Sequence, residues 1–510
     1  MLGCDAGVPD PRRLPRAMIP EEGSMAPETA PHPTDPAQHD AFRLAARRRL
    51  ERRRRRARRA ASGPASAAEV APGADVPVAA LWGYLGAGGK RLVLRDADFL
   101  RTLREGRDVD VLVADARRSE AELIRTLGVP LWFARHGHVW SYHYAWGSID
   151  LIRGLEVRGM RYLRVREVFA ERRQTPSGAW VPSPAHDAAI AWLTGVLWQG
   201  RLKPKHRERI LAAIETEPEA FMRVLTRALG RIRGRHLWRL AASGRPEAAD
   251  GAAGGLRRAV AVGALARRPL GSLAGWARYW LAELRLRLAP PLPWVALLGP
   301  DGSGKSSVAR TLGDTLPSCL RRIDHGRWRP NLLFPSPPVT HPVEDPQGRR
   351  PYSPLLSAAK LGFLTLDWWA GHLLRFADAR ARGRLVVFDR CLLDVLVDPR
   401  RHRYRGPRGL ARLALRLAPQ PDMVVALIAD AATLQQRKRE VPYEECARQV
   451  DAYRTLAGRL RAGYVVDAGQ PPQAVAAEVA ALVAAHARTR SARRLGLTPS
   501  FATPAPAARG

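Results

Sequence analysis

The chain has 510 residues, which is enough for two or three domains that each have a hydrophobic core. Apolar residues make up 46%, and the sequence has neither an apolar run of membrane-spanning length nor the pattern of a secretory leader, so we expect a cytoplasmic protein without a transmembrane segment. The net charge of +35 favours contact with polyanions, and the four cysteines lack the spacing of a disulfide framework or a zinc site.

The first segment, residues 1–66, is rich in Pro, Ala and Arg and has no apolar periodicity, so we expect a disordered arm. Its densest part is RRRLERRRRRARRAASG at residues 47–63, which predicts a solvated run of charge. The alternative is a weak contact with a polyanion, either a nucleic acid or an anionic membrane. No aromatic residue interleaves the arginines, which argues against a platform for stacking bases.

Strand-like and helix-like runs alternate over residues 67–245 and predict a smaller α+β domain. The Gly- and Ala-rich stretch that follows predicts a linker, which together with the next helix spans residues 246–290. That helix, GSLAGWARYWLAELRLRLAPP, is basic and amphipathic, and we expect its apolar face to pack on a neighbouring domain, with a membrane surface as the alternative. The face consists of Trp276, Trp280, Leu281, Leu284 and Leu288.

From residue 291 to residue 488, fully apolar strands alternate with helices, which predicts an α/β fold whose parallel sheet is covered on both faces. The strands are WVALLG, RLVVFD, DMVVALIAD and YVVDAG, and the helices include KSSVARTLGDTL and PQAVAAEVAALVAAHA. Residues 489–510 are Arg-rich and then Pro- and Ala-rich, and we expect a disordered tail there.

The most specific motif is GPDGSGKSS at residues 299–307, which satisfies G-x-x-x-x-G-K-[ST] between a predicted strand and a predicted helix. Glycines let backbone N–H groups surround a polyphosphate at the positive end of a helix. We expect Lys305 to reach the β- and γ-phosphates of ATP and Ser306 to bind Mg²⁺. The predicted ATP-binding residues are Gly299, Gly302, Ser303, Gly304, Lys305, Ser306 and Ser307.

The end of the strand RLVVFDR supplies Asp389 and Arg390. Asp389 could hold Mg²⁺ and Arg390 could bind a second phosphate, as a kinase with a phosphorylated acceptor requires, although a simple ion pair at a strand end is the alternative. The segment LQQRKRE adds Arg437, Lys438 and Arg439, which would either close over the phosphates as a lid or remain solvated. The candidate catalytic residues are therefore Lys305, Asp389, Arg390, Arg437 and Arg439.

Together, GPDGSGKSS, VVFDR and RKRE resemble the thymidylate kinase family of P-loop nucleoside monophosphate kinases, over about residues 291–485. The resemblance implies a P-loop NTPase-type parallel sheet with helices on both faces, and it implies that Asp301 and Arg390 bind the acceptor. Arg329, or else Arg327, would replace the family's arginine after the first helix. Cys391 stands where the family has Tyr, and VDPRRHRYRGP is an insertion. The VDPRR of this insertion and the separate WRP segment resemble divergent thymidylate-kinase-like proteins found with bacterial polysaccharide synthesis.

In the first half, GRDVDVLVAD places Asp108 and Asp110 on one face of a strand, and WGSIDLIRG offers Asp150. A D-x-D pair with a third carboxylate on a neighbouring strand can hold two Mg²⁺ ions for nucleotidyl transfer. Residues 75–245 therefore resemble the polymerase-β type of nucleotidyltransferase, although the expected Gly-Ser or Gly-Gly pair before the D-x-D is missing. A surface acid pair and an unrelated strand Asp are the alternative.

The sequence thus predicts an ATP- and Mg²⁺-dependent kinase that resembles thymidylate kinase and phosphorylates an acceptor which already carries a phosphate. The alternative is a non-catalytic ATP-binding regulator with a degenerate nucleotidyltransferase-like domain. A third interpretation is a polyanion-binding protein that acts through the Arg-rich arm. The identity of the acceptor and the formation of a homodimer stay open.

Overall fold

Two five-stranded sheets organise the part of the chain that the structure describes. This computed structural model describes residues 77–86, 89–94, 107–335 and 347–498, which belong to one compact unit that spans Ala57–Gly510. The predicted Arg-rich arm and the end of the predicted tail lie outside the described residues.

The first sheet has the strand order β1-β2-β5-β4-β3, in which β2 and β5 are parallel and the other neighbours are antiparallel. Val109, Val111 and Val113 alternate along β2 and are buried, which leaves Asp108 and Asp110 on its other face. Helices α1 (Val78–Gly86) and α2 (Ala116–Leu127) accompany this sheet. Its strands are β1 (Arg91–Val93), β2 (Arg107–Val113), β3 (Trp132–His136), β4 (Val139–His143) and β5 (Gly147–Ile152).

A second group of elements completes the first half around its own hydrophobic core. Its helix α4 begins after Ser183, whose side chain accepts a hydrogen bond from the His186 backbone N–H, and Trp192 on that helix is fully buried. The elements are β6 (Leu155–Val157), β7 (Met160–Leu163), α3 (Val165–Ala170), β8 (Arg173–Gln174), β9 (Trp180–Val181), α4 (Pro184–Thr194), α5 (Arg207–Thr216), α6 (Pro218–Leu229) and α7 (Arg231–Ala242).

The predicted linker is helical. Helix α8 (Ala253–Arg267) buries Leu256 and Val260 in the core of the first half, and α9 (Pro269–Leu288) follows it. The Gly- and Ala-rich composition therefore allows close helix packing here and does not mark a flexible connection. The expectation that α9 packs its apolar face on a domain is wrong, because that face points to solvent.

The second sheet is parallel throughout, with the order β11-β12-β10-β13-β14. Each predicted strand of this half is present, and β10 and β13 are buried along their whole length, as continuous apolar runs of a covered parallel sheet should be. The mixed α/β architecture with an all-parallel sheet is thereby confirmed. The strands are β10 (Trp294–Leu298), β11 (Ile323–Arg327), β12 (Leu385–Asp389), β13 (Met423–Ile428) and β14 (Gly463–Asp467).

Helices connect the parallel strands, as crossover connections require. The last helix continues beyond residue 488 and buries Thr489 and Ser491, so the start of the predicted disordered tail is helical. Among the described helices, none is both long enough and apolar enough to cross a bilayer. The helices of this half are α10 (Lys305–Thr315), α11 (Pro354–Gly371), α12 (Ala377–Ala381), α13 (Asp394–Val397), α14 (Arg408–Leu417), α15 (Ala431–Arg437), α16 (Tyr443–Arg459) and α17 (Pro472–Leu495).

The two halves share a packed contact centred on Trp132. Its ring stacks on His143 with 3.6 Å between ring centroids, and its indole N–H donates to the Cys319 carbonyl at 3.1 Å. A Cβ on Gly383 would lie 2.6 Å from the Trp132 ring, so only glycine allows this approach. Trp132, from the first sheet, therefore belongs to the core of the second half.

Candidate functional site

The loop between β10 and α10, which the sequence predicts to bind phosphate, has three glycines with left-handed or otherwise unusual backbone angles. Gly299, Gly302 and Gly304 have φ angles of 146°, 80° and 80°, which side chains with a Cβ rarely adopt. A Cβ on Gly299 would lie 2.3 Å from the Leu427 carbonyl oxygen, so the loop fits tightly against the end of β13. Because α10 begins at Lys305, its first N–H groups point into this loop.

Lys305 is buried at the base of the loop and is only 6% exposed. Its ammonium donates to the carbonyls of Gly299 and Pro300 at 2.9 and 2.6 Å and to Ser303 Oγ at 3.2 Å. Burial and the nearby Arg390 lower the pKa of Lys305 to about 8. The loop thus holds a desolvated cation where an incoming anion would neutralise it.

Ser306 and Asp389 meet at the carboxyl ends of neighbouring strands. Parallel pairing of β10 with β12 sets Leu297 beside Asp389, and the Ser306 hydroxyl donates to Asp389 Oδ2 at 2.5 Å. A hydroxyl and a carboxylate are the hard oxygen ligands that Mg²⁺ prefers. The two residues predicted to serve the metal are therefore adjacent.

Asp301 and Arg390 form an ion pair beside the loop, with 2.5 Å between Asp301 Oδ1 and Arg390 Nη2. Arg390 has a φ of 70°, and its backbone N–H donates to the Leu297 carbonyl at 2.9 Å. Burial disfavours the ionised form of Asp301, but Arg390 and other nearby cations hold its pKa below the usual range. A strained backbone that aims a buried guanidinium at a site is typical of functional positions.

Buried polar groups hold the Arg390 side chain in place. Its Nη1 donates to Asp394 Oδ2 at 2.9 Å. Asp394 is fully buried, accepts a hydrogen bond from the Tyr453 hydroxyl and pairs with His402 Nε2 at 3.0 Å. His402 stacks on Trp328 with 3.8 Å between ring centroids. Burial lowers the pKa of His402, although the carboxylate of Asp394 opposes that shift. These contacts orient the Arg390 guanidinium so that its Nη2 faces Asp301.

Sequence reasoning did not single out Asp394, Tyr453, Arg401 or His402. Arg401 binds the second oxygen of Asp301 and lies 3.6 Å from Glu440 Oε2. Burial and the neighbouring Asp301 raise the pKa of Glu440. The sequence feature that could have pointed to Arg401 and His402 is the insertion VDPRRHRYRGP, which contributes both residues directly to the site.

The predicted acceptor and lid arginines lie in different places. Arg329 Nη1 lies 3.2 Å from Asp367 on α11 and its Nη2 donates to the Phe334 carbonyl, so its guanidinium ties its own segment to α11. Arg437 donates to the carbonyls of Ala468 and Gly469, just after β14. Arg439 is exposed in the loop after α15. Roles of these arginines in acceptor binding or as a lid stay predictions.

The three acids of the first half line one cavity of about 590 Å³. Parallel pairing of β2 with β5 sets Asp110 directly beside Asp150 and Asp108 beside Ser148, whose hydroxyl donates to Asp108 at 2.5 Å. Burial and the nearby Asp110 raise the pKa of Asp150 to about 7. In the described part of the chain, no group of three or more His, Cys, Asp or Glu side chains is arranged to hold a metal ion. Two Mg²⁺ ions at this triad therefore stay a prediction.

No model of a known protein family matches the chain, and no curated protein is recognisably similar to it in sequence.

Proposed function

We propose that the second half is an ATP- and Mg²⁺-dependent phosphotransferase that resembles thymidylate kinase and transfers the γ-phosphate of ATP to a phosphorylated acceptor. The observation that carries this proposal is the contact between Ser306 and Asp389 beside the buried Lys305. A loop between a central parallel strand and a helix, with its carboxylate on the adjacent strand, supports a P-loop fold.

The donor phosphates would occupy the loop, where Lys305 would exchange its bonds to the Gly299 and Pro300 carbonyls for phosphate oxygens. Ser306 and Asp389 fit Mg²⁺ as ligands, and bound Mg²⁺ would offset the negative charge of the phosphates. No covalent intermediate is needed, because positioning and charge stabilisation account for phosphoryl transfer in such sites.

The acceptor would bind on the side of the loop where Asp301, Arg390 and Arg401 meet. Two buried or half-buried guanidinium groups near one carboxylate suit a ligand that carries both a phosphate and a hydroxyl. The Trp328–His402 stack borders this region and would offer a flat aromatic surface. A link to polysaccharide synthesis belongs to the same proposal and rests on the resemblance of the VDPRR and WRP segments alone.

The free thiols of the described cysteines support a reducing, cytoplasmic location for this activity. They are Cys319, Cys391 and Cys446.

Acceptor-dependent release of ADP tests the proposal. The purified full chain would be incubated with ATP and Mg²⁺ and with dTMP, other nucleoside monophosphates and phosphorylated sugars in turn. We expect turnover with one class of acceptor and a loss of about a hundredfold or more in Lys305→Ala, because the loop would lose its buried ammonium. Arg416→Ala, which removes an exposed arginine on α14, should leave turnover unchanged.

ATP binding without turnover on any acceptor of this panel would contradict the kinase and favour the regulator that only senses ATP. Loss of ATP binding in Lys305→Ala would still be expected in that case, so binding and turnover are measured on the same samples.

A further inference from the structure

Helix α9 packs two small residues and one leucine against the rest of the protein. Its buried residues are Ser272, Gly275 and Leu286. Gly275 meets the β6–β7 turn so closely that a Cβ on Gly159 would lie 2.3 Å from the Gly275 carbonyl oxygen. Glu283 on the same side pairs with His136 Nδ1 at 3.1 Å. These contacts fix the rotation of the helix about its axis.

The solvent side of α9 is apolar as a consequence. At 100° per residue, its large exposed side chains fall within an arc of about 140°, and 20 residues make the face about 30 Å long. No acidic residue lies in this arc. The exposed residues are Leu270 (81%), Leu273 (55%), Trp276 (49%), Trp280 (44%), Leu281 (43%), Leu284 (51%) and Leu288 (70%).

Arginines border the apolar face. Arg278 and Arg285 are exposed along one edge, and Arg267 and Arg268 are exposed at the start of the helix. Arg287 falls inside the arc, between Trp276 and Trp280, where Glu283 and Asp378 neutralise it. A continuous apolar face with two tryptophans and a rim of arginines has the composition of a helix that lies in the interface of a membrane.

The charge of the chain decides between the occupants of this face. A second copy would bring together two molecules that each carry a net charge of +35, whereas an anionic lipid surface attracts that charge. We propose that the solvent side of α9 binds the surface of an anionic phospholipid bilayer, with the helix parallel to the membrane plane. Helix α9 contacts α12 through the ion pair between Arg287 and Asp378. Just before α12, the exposed Leu373 and Leu374 add further apolar surface.

Flotation of the full chain with vesicles tests this inference independently of the proposed enzyme activity. Vesicles of phosphatidylcholine with phosphatidylglycerol should carry the protein at physiological salt, and vesicles of phosphatidylcholine alone should carry much less. Trp276→Ser/Trp280→Ser should reduce the bound fraction at least about tenfold, because two large apolar side chains no longer enter the interface. Ile232→Ser/Leu355→Ser removes two residues that are 85% and 83% exposed elsewhere and should bind like the wild type.

Quenching of tryptophan fluorescence by brominated acyl chains gives a second readout. The wild type should be quenched on mixed vesicles, and the part contributed by Trp276 and Trp280 should vanish in the double variant. Equal flotation and equal quenching in the wild type and this variant would overturn the inference and assign binding to charge alone. A wild-type dimer that becomes monomeric in the variant, with no flotation of either, would overturn it in favour of self-association.

Discussion

At the scale of single residues, Asp394 is a buried acid that contacts several polar side chains of the candidate site. It is fully buried and contacts Arg390, His402 and Tyr453. Burial alone would favour its neutral form, but the adjacent Arg390 guanidinium holds the pKa of Asp394 below its usual range. Together with Asp301, this carboxylate therefore allows Arg390 to stay charged in the interior.

Asp394→Asn should destabilise the protein by about 3 to 5 kcal/mol, because it leaves the charge of Arg390 without its closest buried partner. Unfolding by urea, followed by circular dichroism, measures this change. Asp314→Asn, an exposed position on α10, should alter the unfolding free energy by less than about 0.5 kcal/mol. A similarly small effect of Asp394→Asn would show that the pair does not stabilise the fold.

At the scale of secondary-structure elements, Asp422, which lies just before β13, contacts three other elements. It accepts a hydrogen bond from the Trp294 backbone N–H at 2.9 Å, binds Arg380 of the segment α12, and pairs with Arg490 of α17 at 2.6 Å. Burial opposes ionisation, but these two arginines lower the pKa of Asp422 from its ordinary value. The carboxylate thus links the start of the central strand to two helices.

The lowered pKa of Asp422 predicts a contribution to stability that is present above the ordinary pKa of 3.8 and is lost as the pH falls below it. The sign follows because the unfolded state takes up the proton first. Unfolding free energies of wild type and Asp422→Asn, measured from pH 7 to pH 3, should therefore differ by about 1 to 3 kcal/mol at pH 7, and the difference should shrink as the pH falls from about 4 to 3. Asp451→Asn, exposed on α16, should show the wild-type slope. A constant difference at all pH values would contradict the role of the charge.

For the whole molecule, Trp132 couples the two halves. It is 7% exposed, and it belongs to the first sheet but lies in the core of the second half. Ser318 adds a second bond across this contact, from its hydroxyl to the Ala145 carbonyl at 3.3 Å. The two halves should therefore unfold together and not as independent domains.

Trp132→Ala should cost about 3 to 5 kcal/mol and should split a single thermal transition into two, since it removes the buried tryptophan that joins the two halves. Differential scanning calorimetry of the full chain measures both effects. Ile232→Ala, at a position that is 85% exposed, serves as the control. Two transitions already in the wild type would mean that the halves are thermodynamically separate.

Much of the fold follows from local patterns. The apolar runs WVALLG, RLVVFD and DMVVALIAD are buried parallel strands because no polar residue interrupts them. The loop GPDGSGKSS needs its glycines for backbone angles that residues with a Cβ rarely adopt, so its conformation depends on a few neighbouring residues. The placement of Asp108 and Asp110 on one face likewise follows from the period of two in a strand.

The contacts between distant segments depended on the tertiary structure. The direction of Arg390 is set by Asp394, Tyr453 and His402, whose roles no local pattern reveals. The rotation of α9 was predicted wrongly for the same reason: amphipathicity identifies an apolar face but not what covers it. Close approach of Gly159 to Gly275 turned that face to solvent. By itself, the sequence determined the four predicted apolar strands of the second half, the glycine-rich loop before α10 and the pairing of Asp108 with Asp110 on one face, because short-range sterics and periodicity define them. Only the tertiary structure decided which charges meet and which surface stays open, because those depend on contacts between residues far apart in the chain.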